Sequence, residues 1–117
     1  MRDRIKAFRE ERKRLNETIL VRENVNIKRF FGIDSAVYRS GVLDAKAKEL
    51  LGLVASAVLR CDDCITYHLI RCAEEGVSSP EMDEALAVAL VVGGSITIPH
   101  LRRAYSLWSE LRPGEDE

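Results

Sequence analysis

Residues 50–59, LLGLVASAVL, constrain this chain more than any other stretch. A surface helix keeps one wet side, and this run has none, so the helix that contains it must lie in the middle of whatever the chain folds into. Asp44, six residues upstream, is a good N-cap, which predicts a central helix from about residue 45 to residue 59.

Helical punctuation continues on both sides. An amphipathic segment near residues 2–21 carries Ile5, Phe8, Leu15 and Ile19, and a shorter one near residues 25–39 carries Ile27, Phe30, Phe31 and Val37. Gly32 is expected to break that second segment and Gly41 to end it. A fourth helix should start close to Cys61 and stop near Gly76, a residue suited to the left-handed position after a helix end. Ser78 and Glu81 spell a capping box, Pro80 supplies a preset first-turn φ, and the helix they open runs through the apolar residues 85–92 to Gly93 and Gly94. Pro99 fits the first turn of a last helix bearing Leu101, Tyr105 and Trp108, which ends before Pro113 and the polar tail Gly114 to Glu117. The expectation is an all-α chain of about six helices, forming a single domain over residues 1–117. Two runs that are apolar all round exceed what one domain of this size easily hides, so the chain is expected to form homo-oligomers.

Charge excludes more than it suggests. The net charge is −1 and the sequence pI about 6.2, so the chain as a whole makes no electrostatic demand for nucleic acid or an acidic membrane. The basic residues among the first fourteen (Arg2, Arg4, Lys6, Arg9, Arg12, Lys13 and Arg14) read as the wet side of the first helix. No apolar run is long enough to cross a bilayer, and the charged start lacks a secretory pattern, so a cytoplasmic protein is expected. Three cysteines are too few and too odd in number for a disulfide scaffold. In a reducing compartment, a close cysteine pair points to chemistry.

That pair lies in Cys61-Asp62-Asp63-Cys64-Ile65-Thr66-Tyr67-His68. On a helix, positions 61, 64, 68 and 72 fall within roughly 80° of one face, so Cys61, Cys64, His68 and Cys72 form a stripe. The first turn of a helix favours a thiolate through its partial positive charge and unpaired N–H groups. His68, one turn past Cys64, can take or return a proton near neutrality. Asp62 and Asp63 oppose thiol ionisation, which leaves the net reactivity of the pair open. A zinc site fits poorly, because residues 61 and 72 lie about 16 Å apart along a helix and cannot close one tetrahedron; neither a metal nor another cofactor is expected. Cys72 reads as a small core residue, His100 as a packing or interface residue of the last helix, and Tyr67, Tyr105 and Trp108 as core aromatics with pocket lining as the alternative.

Glu49, eleven residues, Cys61-X-X-Cys64, three residues and His68 together resemble the signature of the carboxymuconolactone decarboxylase and alkylhydroperoxidase D-like family. The likeness runs from about Asp44 to Tyr105 and includes Gly76 and the Gly93-Gly94 break. It implies an alkylhydroperoxidase D-like helical bundle that assembles into dimers, trimers or hexamers. The two cysteines place the chain nearer the redox branch, in which the pair reduces a hydroperoxide or a partner disulfide, an external dithiol restores it, and a glutamate and histidine relay the proton. By that resemblance Cys61, Cys64, Glu49 and His68 are the catalytic residues of a thiol peroxidase or disulfide reductase of antioxidant defence. One position departs: alkylhydroperoxidase D has a histidine where this chain has Asp63, so the relay would rest on Glu49 and His68. Pairing the third and fourth helices around residues 60 and 61 leaves Glu49 about 6 Å along the axis from His68, a gap for side chains or a water to bridge. The alternatives are a proton-transfer enzyme acting on a lactone or β-keto acid through Glu49 and His68, and a non-catalytic helical oligomer.

Overall fold

The computed structural model describes residues 2–112. Its α-helices are α1 (Arg2–Leu20), α2 (Val25–Val37), α3 (Ala45–Val58), α4 (Asp62–Glu74), α5 (Ser79–Gly93) and α6 (Ile98–Leu111), with a 3-10 turn at Ser95–Thr97 before the last. No strand occurs among the described residues. The expected tail after Pro113 lies outside them. The chain divides into two compact units, Met1–Arg39 and Ser40–Glu117.

In the first unit, Asn24 caps α2 by accepting from the Ile27 amide at 3.0 Å. Gly32 does not interrupt α2, contrary to the sequence expectation. Its position is exposed, and a helix tolerates one glycine at a cost of about 1 kcal/mol. No residue of α2 is buried, and Val25, Phe30, Ile33 and Val37 face outward.

In the second unit α3 packs against both α4 and α5, and α4 packs against α6. Leu53, Leu69, Val77, Met82, Leu86, Ala89 and Trp108 form its core. Buried Trp108 donates its indole N–H to Ser79 Oγ at 2.9 Å, so its polar atom is satisfied in place. The helix boundaries follow local chemistry. Asp44 accepts from the Ala47 amide at 2.8 Å, and Ser78 and Glu81 close the expected capping box across each other's backbone. Lys46 on α3 reaches Glu81 at 2.8 Å, tying the start of α3 to the start of α5. The α5 helix stops at Gly93, where an added Cβ would overlap the hydroxyl of buried Thr97 in the 3-10 turn. Side-chain volume is therefore excluded where the chain reverses toward α6.

Candidate active site at the start of α4

The turn between α3 and α4 sets the dithiol. Arg60 adopts φ 60°, its amide bonds to the Ala57 carbonyl at 3.0 Å, and the Cys61 amide bonds to the Ser56 carbonyl at 3.1 Å. This is a Schellman motif in which arginine holds the left-handed position usually given to glycine. For an L-residue that conformation costs on the order of 1 kcal/mol. Cys61 then serves two helices at once: its amide closes α3, and its Sγ caps α4 by accepting from the Cys64 amide at 3.3 Å. The sulfur thus sits where the helix dipole and a first-turn N–H favour negative charge.

Cys61 and Cys64 are joined as a disulfide, with their Cα atoms 5.3 Å apart. Cys61 is half-buried and Cys64 is exposed. One turn along α4 lies His68, only 7% exposed, and behind it Glu49 of α3, only 1% exposed. The two meet directly, His68 Nδ1 to Glu49 Oε1 at 2.8 Å, so the axial gap expected from sequence is spanned by the side chains alone. A carboxylate oxygen can only accept, so Nδ1–H is the donor of this bond and Nε2 lies on the opposite edge of the ring. Tyr67 packs edge-on against the imidazole, with ring centroids 5.2 Å apart.

Arg71, which no sequence motif singles out, supplies the charge that a buried carboxylate needs. Its Nε lies 3.5 Å from Glu49 Oε2, and its guanidinium also pairs with Glu74 and Glu75. Chiefly the Glu74 hydrogen bond, with help from Glu49, pushes its ionisation even further above the ordinary arginine value. The i, i+3 and i, i+4 spacing of Arg71 with Glu74 and Glu75 was visible in the sequence, but that pattern marks exposed helix faces as often as sites.

Cys72, third on the stripe, is buried and unbonded. Burial, reinforced by the nearby Glu49 charge, pushes its thiol up to about 12, so it stays protonated and inert near neutrality. His100, expected to serve packing or an interface, reaches the first residue of α4: its Nδ1 lies 2.7 Å from Asp62 Oδ1. Arg103 Nε donates to Asp62 Oδ2 at 3.0 Å. Of the aromatics, Trp108 is core, whereas Tyr105 is partly exposed and donates to Asp83 at 2.8 Å.

These features can be set beside known proteins. The family model of the carboxymuconolactone decarboxylase family matches residues 27–106, and the chain belongs to that family. The Thermotoga maritima protein TM1620 is similar over nearly its whole length: one crystal structure superposes with a TM-score of 0.90 at 64% identity, covering 95% of this chain and 97% of that one. A second, with a TM-score of 0.88 at 63% identity over 94% of this chain and 93% of that one, describes the protein as a carboxymuconolactone decarboxylase family member with antioxidative response as a possible role. A Legionella pneumophila member of the family shares the fold, with a TM-score of 0.83 at 20% identity over 93% of this chain and 97% of that one. A Paracoccus denitrificans protein, uncharacterized protein 4 in the cox locus, is 26% identical over 82 residues, 70% of this chain and 74% of its own length. No described helix is long and apolar enough to cross a membrane.

Proposed function

We propose that this chain is a thiol-dependent peroxidase of the alkylhydroperoxidase D-like type, also able to reduce disulfides, in which Cys61, Cys64, His68 and Glu49 do the chemistry. One observation carries the reading: an exposed cysteine, disulfide-linked to the cysteine that caps its helix, stands one turn from a buried histidine whose other nitrogen is held by a buried glutamate.

In the reduced enzyme His68 Nε2 takes the proton of Cys64, directly or through a water, and Glu49 stabilises the imidazolium that results. The Cys64 thiolate attacks the terminal oxygen of a hydroperoxide. The O–O bond breaks, sulfur is oxidised to a sulfenic acid, and the leaving alkoxide takes the proton held by His68 to become an alcohol. Cys61 attacks the sulfenic sulfur, the S–S bond forms, and hydroxide leaves with the Cys61 proton as water. An external dithiol then exchanges through a mixed disulfide and returns both thiols. Access favours Cys64 as the first nucleophile, while the capping geometry of Cys61 suits the second. The proposal includes self-association, since Leu51, Leu59, Val88, Val91 and Val92 stay exposed on the second unit despite its full core.

The test is mass-spectrometric trapping of free thiols before and after one equivalent of an organic hydroperoxide. Rapid formation of a Cys61–Cys64 disulfide, reversed by a dithiol, supports the reading. Inert thiols, or turnover of a lactone acid that survives loss of both cysteines, would replace it with proton-transfer chemistry at Glu49 and His68.

A further inference from the structure

Two carboxylates stand inside the CxxC, and an ionised carboxylate beside a thiol disfavours its thiolate. Their surroundings differ. Asp63 is exposed, and among the described residues it forms no ion pair, whereas both oxygens of Asp62 are bound by side chains of α6. Oδ2 accepts from Arg103 Nε at 3.0 Å, with the guanidinium NH2 nitrogen equally close, and Oδ1 accepts from His100 Nδ1 at 2.7 Å. Because that Nδ1 proton is committed to Asp62, the 3.2 Å approach of Arg103 to the same nitrogen is a packing contact and not a second hydrogen bond. His100 and Arg103 are one turn apart on α6, so a single helix face delivers both partners.

We propose that Arg103 and His100 act on the dithiol as positioning residues through Asp62, holding its carboxylate toward α6 and offsetting its charge so that the reduced thiols ionise more readily than the CDDC sequence alone would allow. The inference rests on the redox reading above. The hydrogen bond from His100, then those from Arg103, hold the Asp62 carboxyl below its ordinary range, as expected of a carboxylate bound at both oxygens. Other charges around the pair are accounted for. Arg60 precedes Cys61 in the turn and Asp63 follows Asp62 on α4. On α3, Lys46 is paired with Glu81, and Glu49 with His68 and Arg71. Residues 62 and 68 are about 9 Å apart along α4, so the clamp and the relay are separate groups on the same helix.

The experiment is the rate of iodoacetamide alkylation of fully reduced protein between about pH 5 and 10, read separately at Cys61 and Cys64 by mass spectrometry. Arg103→Met leaves the Asp62 charge uncompensated and is expected to raise the alkylation midpoint of the more acidic thiol by roughly half to one pH unit. His100→Ala should shift it in the same sense by less. Asp62→Asn should lower it, and the Asp62→Asn/Arg103→Met double variant should return close to the starting value. Loss of a merely structural tether would move Arg103→Met and Asp62→Asn in the same direction; that outcome, or an unmoved midpoint in Arg103→Met, would overturn the proposal. Alkylation needs no substrate, so wild-type protein that fails to form a disulfide with hydroperoxide would sink the peroxidase reading while the midpoints still judge the clamp.

Discussion

Two cysteines on one face of α4 have opposite surroundings. Cys64, in the first turn, is exposed, bonded to Cys61 and one turn from His68; Cys72, two turns further on, is sealed in the core beside Glu49 with its thiol pushed up to about 12. Both belong to the same stripe of the same helix, so helical position does not separate them. Depth does, because Cys64 lies open to solvent at one end, while burial and a carboxylate oppose charge on sulfur at the other.

The largest effects should fall on the Cys61 and Cys64 pair. Cys64→Ser or Cys61→Ser is expected to lower peroxide-dependent turnover by at least about a hundredfold, since no second sulfur can complete the disulfide. Cys72→Ala should leave turnover within about twofold while lowering stability by roughly 1 kcal/mol through lost core packing, measured by denaturant unfolding. A Cys72 variant with lost turnover and unchanged stability would break the contrast.

Next comes the relay that lies between the two cysteines. His68→Asn should cost about 10²-fold or more in turnover and flatten its pH profile near neutrality. Glu49→Gln should cost less, about tenfold, because an amide oxygen can still accept from Nδ1 but carries no charge to stabilise an imidazolium. Equal losses for both variants would show that Glu49 does more than orient and stabilise the ring.

The smallest effect concerns the frame. Lys46 holds the Glu81 carboxyl down at about 2, against an ordinary value of 4.5. A carboxyl with a lowered folded pKa stabilises the chain above the unfolded value and loses that contribution as pH falls through the folded one. Denaturation midpoints of wild type and Glu81→Gln should therefore differ at pH 6, converge from about pH 4.5 downward and meet near pH 2. A difference that persists at pH 2 would assign the effect to the capping box and not to charge.

Much of this architecture was legible along the chain. Asp44, the Ser78 and Glu81 capping box, Pro80, Gly76 and the glycines at 93 and 94 mark helix ends through hydrogen bonds that reach only a few residues, so sequence alone predicts them. The spacing of Glu49, Cys61, Cys64 and His68 pointed to one site, and the structure does bring Glu49 onto His68. The failures share a cause. The propensity of Gly32 predicts a break, but on an exposed helix its cost is too small to end α2. Arg60 carries no sequence signal, because the left-handed turn it holds is normally signalled by glycine.

By itself, then, the sequence determined the class of fold, the places where helices start and stop, and which cysteines could form a dithiol, because each depends on contacts between near neighbours; the relay of Glu49 and His68 was legible only through the family spacing. Only the tertiary structure decided what those residues experience. Burial separates Cys72 from Cys64, Arg71 is found to be the counter-charge of Glu49, and His100 and Arg103 come back some forty positions along the chain to bind Asp62. Charge and solvation act through space, and one strand of letters does not state which helix will supply the neighbour.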